Sequence, residues 1–314
     1  MKNTPIGLFG CPLGLLGLTL ATLRIEASNG VAHVAGGALL LLTIVLFLLV
    51  SMAYATKAVC RPALVRGDWN HPVRCNFFAI ISGTLALLGL AVLPFSHGLA
   101  LPIWALGAVA HFVVTLGVLA RWLGPTTFAV VTLSPAQFLP AVGNVLVPLA
   151  GVPLGFVEVS WFFFSIGLIL WLVLMPLIIG RLLTQVALPD ALLPTLLILI
   201  APPSLLMMVY LRLEPDGIQA LAKMLYYTSL MLFLALLTQA PRLARIEFSL
   251  SWWAFTFPIG ALTVGTLTFA EASGIAGFAY FGRVLYGSLI AIVLVVVWRT
   301  VKALCAGRVF VPDS

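Results

Sequence analysis

Charge is what this sequence has least of. Sixteen basic and nine acidic residues make up 8% of its 314 positions, where a soluble domain carries about 25%. A chain of this size cannot wet its own surface with so few charges, so its outside must face lipid. Rules that count soluble domains by length do not apply. Residues 1–314 read as a single transmembrane domain without a soluble appendage. Cysteine is also scarce: Cys11, Cys60, Cys75 and Cys305 contain no C-x-x-C pair, so neither a disulfide framework nor a zinc site is supported. The net charge of +7 comes from the shortage of acids, with no lysine- or arginine-rich block. That argues against nucleic acid as a partner and for positive loops against anionic headgroups. No H-E-x-x-H occurs, and Asp68, Asp190, Asp216 and Asp313 stand singly, so the familiar membrane-enzyme chemistries lack their residues. No enzyme, cofactor or metal is expected.

What is abundant is apolar length, since 62% of the residues are hydrophobic. A helix needs about 20 apolar residues to cross the hydrocarbon core. Ten segments approach that measure: 6–23, 31–54, 76–95, 102–123, 135–151, 157–183, 191–211, 218–240, 251–270 and 278–304. The fifth is short and proline-rich. No segment alternates with period two, which argues against a β-barrel. The first, starting at Ile6, lacks an A-x-A cleavage site and reads as an uncleaved span. Twelve of the sixteen basic residues fall on the side holding both termini, among them Lys2, Lys57, Arg74, Arg181 and Arg308. Arg24, Arg212, Lys223 and Arg283 fall on the other. The bias predicts cytoplasmic termini, and an even span number is consistent with it.

Prolines separate the segments into two kinds. The odd-numbered ones hold Pro12, Pro140, Pro148, Pro202, Pro203 and Pro258, whereas the even-numbered ones hold only Pro176 well inside. A mid-helix proline frees a carbonyl, which is tolerated in lipid only where the helix is buried in protein or lines a watery cavity. Glycines Gly10, Gly14, Gly83, Gly143 and Gly260 accompany the breaks. The economical architecture is an all-α membrane protein of five helical hairpins, their kinked inner helices enclosing a channel. The competing explanation is that prolines are ordinary packing kinks in membrane helices. No acid or base sits near a span centre: Glu158, Lys223, Glu271 and Arg283 lie within a turn or two of an end, where side chains snorkel. His33 and His111 lie on even-numbered segments, where hydrogen-bonded packing is expected rather than a proton relay. A passive pore is favoured over a pump.

Four motifs carry a resemblance to a known family. They are Phe9-Gly10-Cys11-Pro12-Leu13-Gly14-Leu15; His71-Pro72-Val73-Arg74 followed by Asn76-Phe77-Phe78; Ser134-Pro135 through Val142-Gly143-Asn144; and Trp252-Trp253-Ala254-Phe255-Thr256-Phe257-Pro258 continuing to Phe269-Ala270-Glu271. In order and spacing they resemble the tellurite-resistance/dicarboxylate transporter family, which includes the plant slow anion channels of guard cells. Cys11 departs from the aliphatic residue frequent in bacterial relatives and bears only on local packing.

The resemblance implies a ten-helix bundle with quasi-fivefold inner helices, a pore in each protomer and a homotrimer in a bacterial inner membrane. It also implies that Phe257, immediately before Pro258, plugs the pore. A large ring in a narrow apolar passage fills it and excludes water. Phe255, two residues away, points elsewhere and reads as packing. Gly10, Gly14, Gly143 and Gly260 either face the pore or allow close helix contact. Asn144 either offers its amide to an anion or ties helices together. Pro12, Pro140, Pro202, Pro203 and Gly83 mark candidate pore-lining breaks. Arg74 either draws anions into a cytoplasmic vestibule or anchors to headgroups. The expected cargo is chloride, nitrate and similar small anions, passed with little discrimination. The alternative is a carrier of C4-dicarboxylates, sulfite or tellurite-related oxyanions.

Overall fold

The structure is a computed structural model that describes residues 4–124 and 129–307; Lys2, Arg308 and Asp313 lie outside them. No strand occurs among the described residues, and nine helices there are long and apolar enough to cross a membrane. In chain order these are segments 1 (Ile6–Ser28), 2 (Val34–Cys60), 3 (Arg74–Val92), 4 (His97–Trp122), 6 (Val157–Thr184), 7 (Asp190–Leu213), 8 (Ala220–Leu237), 9 (Leu250–Ser273) and 10 (Ala276–Cys305). The protein is a polytopic helical membrane protein. Segment 5, residues 135–151, is a relay of four short pieces: Pro135–Gln137, Phe138–Val142, Gly143–Val145 and Leu146–Gly151. Its irregularity and length keep it out of the nine.

Burial sorts the segments by parity. Between 72% and 83% of the apolar stretch is buried in segments 1, 3, 7 and 9, against 22–33% in segments 2, 4, 6, 8 and 10. Each odd segment packs on the even one that follows it. The odd segments also touch in the order 1–3–5–7–9 and back to 1, which closes a ring. The outer helices present Leu41, Leu48, Leu106, Val113 and Leu172 outward, as lipid contact demands.

The prolines coincide with changes of helix type. Every odd segment opens with the tighter 3₁₀ helix and then widens to α-helix. Pro12, Pro140, Pro148, Pro203 and Pro258 each occupy the third residue of the α-helical piece that carries it. At that position no regular α-helical turn lies behind the proline for its ring to clash with, and its fixed φ already suits the helix that follows. These prolines mark where α-helix begins. Segment 3 makes the same transition at Phe78 without a proline. Helix 4 begins at His97, five residues before the expected start, so Pro102 lies inside it. Helix 2 begins at Val34, leaving His33 outside as its N-cap residue and not on the helix as expected.

Irregular backbone at membrane depth needs outside partners. Segment 5 obtains them from its neighbours. Trp104 Nε1 donates to the Val147 carbonyl at 2.8 Å, Thr115 Oγ1 to the Pro140 carbonyl at 2.9 Å, and Arg212 to the Leu149 carbonyl. All of residues 135–151 are buried except Leu139 and Gly143, which are half-buried.

Candidate functional site

Two cavities lie inside the ring. The larger, of about 620 Å³, is lined by the N-terminal parts of all five odd segments, including Gly10, Gly83, Leu139, Gly143, Pro202 and Pro258. The smaller, of about 200 Å³, is lined by their C-terminal parts, including Gly17, Leu87, Leu149, Met208 and Gly260. Leu205 and Phe257 line both. Phe257 is the second residue of the α-helical part of segment 9, at the junction with its 3₁₀ lead Leu250–Phe255.

Backbone contact fixes the level of that ring. A Cβ on Gly17 would stand 3.2 Å from the Phe257 Cα, and one on Gly260 would stand 3.0 Å from the Gly17 backbone. Segments 1 and 9 thus meet main chain to main chain beside Phe257, an approach that glycine at both positions accommodates without displacing either backbone. Ser204 Oγ donates to the Ala261 carbonyl at 2.9 Å and ties segment 7 to segment 9. Trp253 Nε1 donates to Thr300 Oγ1 at 3.0 Å and ties segment 9 to segment 10.

The ends of the two cavities carry the charge. The larger one is bordered by Lys57, Arg61, Asp68 and Arg74. Lys57 Nζ lies 2.6 Å from Asp68 Oδ2 and 3.1 Å from the Thr4 carbonyl, Tyr54 donates its hydroxyl to Asp68 Oδ2 at 3.1 Å, and Arg74 Nε lies 3.6 Å from Asp68 Oδ1. Lys57 and Asp68 are buried. The smaller cavity is bordered by Arg24, His33 and Arg212. No other titratable side chain lines either cavity among the described residues, so the wall beside Phe257 is apolar. Among the described residues no three His, Cys, Asp or Glu side chains gather to hold a metal.

The remaining candidates from the sequence divide. Gly10, Gly83, Gly143, Pro202, Pro258 and Arg74 line the larger cavity and Gly260 the smaller; Pro12, Gly14, Pro140, Asn144 and Pro203 line neither. Gly14 lies under Thr256 and Trp253, where it serves close helix contact. Asn144 Nδ2 donates to the Pro140 and Ala141 carbonyls and to Thr115 Oγ1, at 3.0, 2.8 and 3.2 Å, and so ties helices together. Phe255 packs edge-on against Trp252 and faces neither cavity. His111 is buried outside the cavities, with Nδ1 3.0 Å from Ser82 Oγ. Gly17 and Leu205 were missed by sequence reasoning. Gly17 continues the face begun by Gly10 and Gly14 at positions i, i+4 and i+7, a signal that was available. Leu205 carries none, being one leucine among many.

Among known proteins, residues 3–301 match the SLAC1 family, described as voltage-dependent anion channels. The chain belongs to this family. The S-type anion channel SLAH2 of Arabidopsis thaliana is 30% identical over 282 residues, 87% of this chain and 54% of the plant protein. The guard cell S-type anion channel SLAC1 of the same plant is 29% identical over 280 residues, 85% and 50% respectively. The tellurite resistance protein TehA homolog of Haemophilus influenzae is 27% identical over 302 residues, 95% of this chain and 91% of the relative. The chain spans about half the length of the plant SLAC1-family relatives it matches.

Proposed function

We propose that this SLAC1-family member is a passive channel for small anions such as chloride and nitrate, closed by the ring of Phe257. The observation that carries the reading is that Phe257, with Leu205, lines both cavities at once. Taken together the cavities form one interrupted pathway, and the interruption is an aromatic ring in an apolar wall. Such a constriction resists ions by staying dry, and removing the ring lets water and then ions enter.

Anions are favoured by what surrounds the pathway. The odd segments all begin at the larger cavity, so the positive ends of their helix dipoles face it. The charged groups bordering both cavities are basic apart from Asp68. The lining between the ends carries no carboxylate or histidine to relay protons, which supports passive flow over coupled transport.

In this reading segment 5 is the tenth crossing, short because its neighbours satisfy its backbone. The whole described chain is one transmembrane domain with both termini in the cytoplasm, so the larger cavity opens to the cytoplasm of a bacterial inner membrane. Assembly as a homotrimer belongs to the same proposal. The test is flux through purified protein in liposomes with anions exchanged one at a time. Chloride and nitrate are expected to move down their gradients at similar rates without a proton gradient. Saturating transport of a C4-dicarboxylate or sulfite with no chloride movement would establish a carrier instead.

A further inference from the structure

The smaller cavity has a chemistry that its role as an exit does not explain. Every titratable side chain lining it, Arg24, His33 and Arg212, is basic, and no acid lines it. The two arginines come from segments 1 and 7, far apart in sequence. The Arg212 guanidinium is held across to segment 5 by its bond to the Leu149 carbonyl, which occupies one of five N–H donors. No carboxylate pairs with Arg212 among the described residues. Arg24 pairs with Glu271, yet its Nε is buried without a hydrogen-bond partner. The rest of the wall is largely aliphatic, with Leu20, Leu23, Leu87 and Leu90 among it. Two like charges facing one apolar cavity raise each other's energy, and a small anion between them relieves both.

We propose that Arg24 and Arg212 form an anion-binding subsite on the far side of Phe257 from the larger cavity, taking one small monovalent anion of the halide or nitrate type. The inference rests on reading the two cavities as one pathway. About 200 Å³ accommodates such an ion with a few waters. The Glu271 side chain is 71% exposed, so its pair with Arg24 is water-facing and readily opened. Glu271 therefore acts as a tethered competitor, covering Arg24 when no anion is present and giving way when one arrives.

Binding is measured apart from conduction by titrating the full-length protein in detergent with chloride against gluconate at constant ionic strength, following the melting temperature. The wild type is expected to show a saturable rise. Arg24→Gln and Arg212→Gln are each expected to raise the half-saturating chloride concentration about tenfold, the worth of one charge-assisted hydrogen bond. Arg212→Lys should recover part of it, and Glu271→Gln should lower half-saturation by removing the competitor. If Arg212→Gln fails to fold because the Leu149 bond is lost, Arg24→Gln and Glu271→Gln carry the test, since the bond between these two side chains holds no part of segment 5. Half-saturation unchanged in the arginine variants, or no saturable response in the wild type, overturns the subsite. Saturable, arginine-dependent binding by a protein that passes no current removes the channel and leaves the subsite standing.

Discussion

Gly17 and Phe257 are in main-chain contact: a methyl group on residue 17 would stand 3.2 Å from the Phe257 Cα. The ring's position is thereby set by backbone apposition of segments 1 and 9. Gly17→Ala is expected to overpack this crossing at a cost of about 1–3 kcal/mol. Because the tightest contact is with main chain, the same loss of melting temperature should appear in a Phe257→Ala background. A cost that vanishes when the ring is removed would mean that residue 17 meets the side chain alone.

The buried pair at the larger cavity supplies a second test. Asp68→Asn leaves Lys57 buried without its counter-charge, which is expected to cost about 3–5 kcal/mol. The double replacement Lys57→Met with Asp68→Leu should restore most of the stability, measured by thermal unfolding in detergent. Equal losses in the single and double variants would show that the pair's hydrogen bonds to Thr4 and Tyr54 matter more than its charge.

Thr115→Val removes a hydroxyl that donates to the Pro140 carbonyl and accepts from Asn144. A loss of about 1–3 kcal/mol is expected from the groups left unsatisfied. Anion preference should not change, since neither Thr115 nor Asn144 lines a cavity. Altered preference in liposome flux would place this network nearer the ion than the structure does.

Reporter fusions in the short helix Pro62–Asn70 and after Asp313 should both report cytoplasm, because twelve of sixteen basic residues fall on that side. A periplasmic signal from either would contradict the proposed orientation.

Much of this architecture was legible in the chain. Apolar length located the nine helices and the short fifth segment, and the prolines singled out the odd segments apart from the third. The form of the break was less legible: Pro12 and Pro258 read as interruptions, and each sits in a first α-helical turn after a 3₁₀ lead that the sequence did not announce. The glycines were ambiguous for a physical reason, since Gly10 and Gly14 both abut Trp253 and sit one turn apart, yet only Gly10 lines a cavity. Contacts between residues distant in sequence left no local trace. Arg24 and Arg212 look like two interfacial anchors until segments 1 and 7 bring them to one cavity. Asp68 is a lone loop acid until Lys57 and Tyr54 are folded against it.

The central claim is that Phe257 closes the pathway, and planar-bilayer conductance tests it most directly. Phe257→Ala is compared with Phe255→Ala at matched protein amounts. Both lose the same volume, and both rings are half-buried. Phe257 lines both cavities and Phe255 lines neither. The account predicts a sharp rise in anion current for Phe257→Ala and current near wild type for Phe255→Ala. A structural ring would instead cost stability, about 3–5 kcal/mol for a fully buried phenylalanine, without opening a current. Equal currents from the two variants, or none from Phe257→Ala in protein that remains folded, would contradict it.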